Sequence, residues 1–150
     1  MNTVFTSFRL LINKFFYLYK KHTKMKILKY LLMSTISLIV LNVWFFRFNT
    51  FTIYRGGNAT NMIEEFAVYG FSETVVYIIG GLKILAAFGL LFGFFFEKTI
   101  LPSVSLMGTL MLGAIIMHFK INDEAIKFLP AGLLFISSLT VLYLHKKERS

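Results

Sequence analysis

The chain has 150 residues, 57% of them hydrophobic and 15% charged, with a formal net charge of +9 and no cysteine. A mean hydropathy of +0.70 is too apolar for a soluble helical domain of this size, in which each helix keeps a polar face toward water. The absence of cysteine excludes disulfides, thiol nucleophiles, thiolate metal sites and dithiol redox relays.

Residues 1–26 are basic and aromatic. Phe5, Phe8, Leu11, Ile12, Phe15, Phe16 and Leu18 give a partly amphipathic pattern, suited to a helix lying on the inner leaflet. Met25-Lys-Ile-Leu-Lys-Tyr reads equally well as the start of a membrane protein, with the preceding residues an over-extended gene start. A removable signal peptide does not fit, because the apolar run that follows is too long and no small-x-small cleavage site follows it.

Four apolar segments come next: Tyr30–Phe46, Thr74–Phe96, Thr99–Met117 and Phe128–Leu144. At roughly 17 to 23 residues and about 1.5 Å rise per residue, each matches a hydrocarbon core about 30 Å thick. Stretches such as Ile84–Phe96 show no polar face at all. The expected fold is an all-α membrane protein, a four-transmembrane-helix bundle. Its parts are the 1–26 extension, a 27–145 bundle and a basic 146–150 tail.

The first span ends on Trp44, Phe45, Phe46 and Arg47, an aromatic belt followed by a charge. Gly56-Gly57 marks a flexible loop. Between Asn58 and Tyr69, apolar residues recur at Met62, Ile63, Phe66 and Tyr69 with Glu64 and Glu65 among them. This predicts a short amphipathic helix, outer or re-entrant, closed by Gly70. Ser72 is placed to cap the second span. Glu97-Lys98 is a tight inner turn that makes spans two and three antiparallel neighbours. Pro102 falls in a first helical turn, where its missing N–H is tolerated. Asp123 is expected to cap the fourth helix, which then kinks at Pro130.

Arg9, Lys14, Lys20, Lys21, Lys24, Lys26, Lys29, Lys98, Lys146, Lys147 and Arg149 all fall on one side of this topology. Arg47, Arg55, Lys120 and Lys127 fall on the other. Such asymmetry places both termini in the cytoplasm and explains the basic charge without nucleic acid. The composition points to a multi-pass protein of a bacterial inner (plasma) membrane, with the lipid bilayer as its first partner.

Only the second span carries a charge, Lys83. An ammonium at that depth costs about 2.5–3.5 kcal/mol on insertion scales and must turn inward, pair or snorkel. Its expected partners are Glu64, Glu65 or Asp123. The bland alternative is a packed lysine stem whose head reaches outer water. His118 ends the third span on the same side, and Asn42, Tyr69 and Tyr77 approach that level. Lys83, His118, Asn42, Glu64, Glu65, Tyr69, Tyr77 and Asp123 are therefore the candidate pocket residues, grouped beneath an outer mouth. No catalytic set is visible. Metal binding is not expected, because His22 and His145 lie on the opposite face and no paired-ligand motif occurs. Gly89-Leu-Leu-Phe-Gly93 reads as a helix-packing motif.

The short outer helix with Met62, Phe66 and Gly70, then Gly80-Gly-Leu-Lys83-Ile-Leu-Ala-Ala87, then Gly113-Ala-Ile-Ile-Met-His118 with Asp123 and Pro130, together resemble the DoxX-like family of small four-span bacterial membrane proteins. The resemblance covers about residues 27–145. The better-known DoxX branch carries a glutamate where Lys83 stands, so a role for that glutamate does not transfer. DoxX relatives include subunits of thiosulfate:quinone oxidoreductase and membrane partners of oxidative-stress enzymes. The resemblance supports the fold more than a function. The leading expectation is an accessory subunit of a membrane redox system, without catalysis of its own, with a quinone or a small anion as the candidate ligand at Lys83 because a buried cation lies there beside aromatic residues. A membrane or periplasmic protein partner and a homo-oligomer are both compatible with it. The alternatives are a non-redox membrane chaperone or scaffold, and a small-molecule carrier.

Overall fold

The structure, a computed structural model, describes residues 2–149 and the side chains of 13, 14 and 23–149. The order is α1 (Asn2–Phe45), α2 (Met62–Val68), α3 (Glu73–Phe92), α4 (Ile100–Lys120) and α5 (Leu129–Arg149), with 3₁₀ turns at Glu97–Thr99 and Ala125–Phe128. No strand occurs among the described residues. Four helical stretches are long and apolar enough to cross a membrane: Thr23–Phe45, Glu73–Phe92, Glu97–Lys120 and Ala125–Arg149. This is the expected four-span bundle with a short helix between spans one and two.

The basic extension and the first span form one unbroken helix. The physical reason is plain: no glycine or proline occurs before Gly56, and nothing interrupts the backbone ladder. The side chains expected to form its amphipathic pattern, Phe5 to Leu18, lie outside the described ones. At the other end, α5 begins at Leu129, so Pro130 occupies the first turn and produces no kink. Asp123 does not cap this helix, being drawn away by stronger partners described below.

The helices form a ring in which α1 touches α3 and α5, and α4 touches the same two. Each presents one stripe of residues three and four apart, the spacing that stays on one helical face. On α1 it runs through Met33, Ile36, Val40 and Trp44, and on α3 through Val76, Gly80, Ala87 and Leu90. On α4 it runs through Ile100, Val104, Met107 and Met111, and on α5 through Ala131, Leu134, Ser138 and Val141. Lys83 and His118 fall in phase with these stripes, so helical geometry alone aims both at the interior. The opposite faces carry exposed Phe45, Phe88, Phe92, Phe95 and Phe119, which are the lipid-facing bulk.

Close approach depends on small residues. Ser37 Oγ donates to the Ala87 carbonyl 2.9 Å away, tying α1 to α3. A Cβ at Gly80 would land in the Trp44 ring, and one at Gly89 on the Ser103 hydroxyl. At the end of the bundle where α5 finishes, buried Lys29 pairs with Glu148, and Tyr30 stacks on Phe94 with centroids 4.8 Å apart.

The neighbouring glycines of α3 give a sharp test. Gly81 has open space where its Cβ would be, so Gly81→Ala is expected to leave the protein unchanged or up to about 1 kcal/mol more stable. Gly80→Ala is expected to cost about 1–3 kcal/mol by overpacking. Thermal unfolding in detergent, read by helical circular dichroism, checks both. Equal midpoints for the two variants would contradict the Trp44 contact.

Candidate functional site

Residues 46–71 turn back over the bundle and roof a cavity between the helices. The roof is local chemistry first. Asn61 caps α2, its Oδ1 accepting from the Glu64 N–H at 3.0 Å. Glu64 reaches back to accept from the Thr60 N–H and hydroxyl, both at 2.7 Å, and these bonds, the backbone one first, hold its carboxyl below the usual carboxylate range. Gly70, at φ +89°, closes α2: its N–H donates to Ala67 and that of Phe71 to Phe66, a Schellman stop.

Arg55 holds the loop to this helix. It is buried at 5% exposure and uses its whole guanidinium. Nε donates to the Thr50 carbonyl at 3.1 Å, and Nη2 to the carbonyls of Arg47 at 2.7 Å and Phe48 at 3.0 Å. Nη1 pairs with Glu65 Oε2 at 2.9 Å. The second oxygen of Glu65 accepts from the Gly56 N–H and from the Tyr69 hydroxyl, each at 3.0 Å.

The Tyr69 oxygen also lies 3.2 Å from His118 Nδ1 and 3.5 Å from Nε2. Burial, together with the negative field of Glu65, pushes the Tyr69 hydroxyl up, well above its ordinary value, so it stays protonated. His118 Nδ1 donates to Asp123 Oδ2 at 2.7 Å, which fixes the proton there and leaves Nε2 as the exchangeable nitrogen. Asp123 Oδ1 accepts from the Gly57 N–H at 2.9 Å and Lys127 Nζ at 3.2 Å. Burial works to raise the Asp123 carboxyl, but the bonds from His118, Gly57 and Lys127 outweigh it and hold it below its ordinary value. These bonds occupy the carboxylate that was expected to cap α5. The result is a continuous polar chain from Arg55 through Glu65, Tyr69, His118 and Asp123 to Lys127.

Beneath this chain lies a cavity of about 510 Å³, within the range of small-molecule sites. Val40, Trp44, Ile79, Met111, Ala114 and Leu134 are among its apolar walls, and Glu65, Tyr69, His118 and Lys83 supply polar atoms. Lys83 faces this cavity rather than lipid. Its ammonium lies 5.8 Å from the Trp44 ring centroid. Among the described residues it makes no hydrogen bond and no ion pair. The acid whose field reaches it is Glu65, already committed to Arg55, so the expected pairing with Glu64, Glu65 or Asp123 is not made.

Of the candidate residues, Lys83, His118, Glu65 and Tyr69 line the cavity, and Asp123 supports His118 from behind. Three lie elsewhere. Asn42 is exposed on the outer face of α1, Glu64 is spent at the α2 N-terminus, and Tyr77 is exposed and donates to Glu73 at 3.0 Å. Arg55, Trp44, Lys127 and the Gly56 and Gly57 amides complete the arrangement without having been singled out by type. A basic residue directly before Gly56-Gly57 in an otherwise uncharged loop is the one sequence signal that pointed to Arg55. No group of three metal-ligating side chains exists among the described residues. What the site does offer is an oriented imidazole, a protonated phenol and an ammonium that is neither ion-paired nor hydrogen-bonded among the described residues, all facing one apolar cavity.

A family profile described as the DoxX-like family matches residues 36–140, well over half of the chain, and spans everything from the last quarter of α1 to the middle of α5. The chain belongs to the DoxX-like family. No curated protein and no solved structure matches it.

Arg55→Lys keeps the charge but replaces a five-donor fork by three donors, and is expected to cost about 1–3 kcal/mol in thermal unfolding and to speed protease cleavage of the 46–61 loop. Asp123 gives a pH signature. Its folded value lies below the ordinary 3.8, so its contribution is full above that pH and lost as pH falls through the folded value. The wild type is expected to lose stability on acidification below about pH 4, and Asp123→Asn, weaker at pH 7, to lose less over the same range. Parallel acid losses for both proteins would remove Asp123 from the account.

Proposed function

We propose that this protein is an accessory subunit of a quinone-linked redox system in a bacterial inner membrane, without catalysis of its own, with both termini in the cytoplasm and the α2 roof on the outer side. It holds a lipophilic molecule by a polar head placed between Lys83 and His118, beneath α2. One observation carries the reading: an ammonium that has the Trp44 ring beside it but, among the described residues, no hydrogen bond or ion pair, and an imidazole oriented by a carboxylate, face the same apolar cavity of about 510 Å³. A quinone fits this donor set, since its carbonyl oxygens accept hydrogen bonds and its body is apolar. When bound, it supplies the electron chemistry. The chain's own residues bind the head, exclude water beneath the α2 roof, and move a proton at His118 Nε2, with the Tyr69 hydroxyl within reach of that nitrogen and of Glu65.

Membership of the DoxX-like family agrees with this reading and does not assign it. The geometry favours holding a ligand over carrying one across. Below the cavity Met33, Leu90, Ile100, Met107 and Val141 are each fully buried and fill the remaining half of the bundle.

Trp44 is the only tryptophan and forms one wall of the cavity, which makes its fluorescence a direct reporter. A short-chain benzoquinone is expected to quench it saturably in the wild type. Lys83→Ala and His118→Phe are each expected to weaken binding about tenfold, the value of one good hydrogen bond to a charged or oriented donor. Saturable quenching that survives both substitutions unchanged would overturn the assignment, as would detergent-extracted wild type that neither retains nor takes up any quinone.

A further inference from the structure

The charges around the cavity do not balance. Glu65 is matched by Arg55 at 2.9 Å. Asp123 is matched by Lys127 at 3.2 Å and bonded by His118 at 2.7 Å. Arg47 is exposed at the rim. Each acid at the roof is thereby committed, and Lys83 is left as a surplus cation facing apolar walls. A cation in such surroundings gains little from a neutral dipole compared with a counter-charge, because electrostatic attraction grows as the effective dielectric falls. Lysine is also a compact point charge, suited to a single oxygen rather than to a planar fork.

We infer that the pocket selects an anionic head: an amphiphile carrying one negatively charged oxygen, phenolate-like or carboxylate, held at Lys83 in preference to its neutral counterpart. This rests on the reading of the cavity as a lipophile site and adds the charge of what it prefers. The apolar walls take the body of the molecule, the ammonium takes the oxyanion, and His118 Nε2 receives or returns the proton that separates the neutral from the charged form. Arg55 and Lys127 cannot play the part of Lys83, since each is already committed to a carboxylate and to backbone carbonyls.

The test uses two probes of one shape, a 2-hydroxy-3-alkyl-1,4-naphthoquinone, ionised at neutral pH, and its neutral 2-methoxy analogue. Both are titrated into the full-length protein in nanodiscs, with Trp44 fluorescence as the readout. The anion is expected to bind at least tenfold more tightly than the ether. Lys83→Met, which removes a charge that has no carboxylate partner and so is expected to fold, abolishes that preference by weakening the anion at least tenfold more than it weakens the ether. Lys83→Arg retains at least part of it. Equal affinities in the wild type overturn the charge rule and leave the lipophile reading standing. A preference that persists in Lys83→Met overturns the role of Lys83. Failure of both probes to bind overturns the lipophile reading together with the inference. Decanoate added as competitor identifies the source of the oxyanion: displacement of the hydroxyquinone assigns the site to carboxylate amphiphiles generally, and its absence to the quinoid ring, either result upholding the preference for charge.

Discussion

Hydrocarbon offers no hydrogen bonds, and the placement of the polar groups in this bundle follows from that constraint. Inside the spans, hydroxyls turn back onto helix carbonyls or across to a neighbour, as Ser37 does to Ala87. The groups that cannot be satisfied this way are gathered at the two ends. At one end Lys29 finds Glu148. At the other, a chain of six side chains runs from Arg55 through Glu65, Tyr69, His118 and Asp123 to Lys127. Two groups are exceptions among the described residues: His145, whose buried ring nitrogens have no hydrogen-bond partner, and Lys83, whose charge makes it the more costly of the two.

The roof shows how a loop of ordinary composition becomes a rigid cover. Arg55 spends its donors on three backbone carbonyls and a carboxylate, so residues 46–56 are tied to one another and to α2 in a single step. Glu65 then couples that loop to Tyr69, and Asp123 couples Gly57 to the end of α4. A change at any of these groups is felt at His118, since its tautomer depends on Asp123 and its neighbour on Glu65. The head group proposed to bind at His118 would therefore meet the same network that orders the roof.

The deep half of the bundle has the opposite character. Its stripes are apolar, its glycines admit close neighbours, and its largest side chains are fully buried. Such a floor gives the cavity a fixed depth and confines any bound molecule to the α2 half of the membrane.

The four spans, the short helix before Gly70, the tight turn at Glu97-Lys98 and the inward placement of Lys83 and His118 were legible in the amino-acid sequence. They follow from local rules: length against bilayer thickness, the left-handed conformation open to glycine, and the high cost of a charge in lipid. The tertiary structure alone decided which polar groups meet. Asn42 and Lys83 lie at similar depth, yet only Lys83 falls on the buried stripe, and that depends on the rotation of each helix against its neighbours. Glu65 looked like a partner for Lys83 until a loop arginine claimed it, and Asp123 looked like a helix cap until His118, Gly57 and Lys127 converged on it. Composition and spacing tell which groups must be satisfied. Contacts between residues distant in the chain tell by whom, because competition among partners is settled only once the backbone has brought them together.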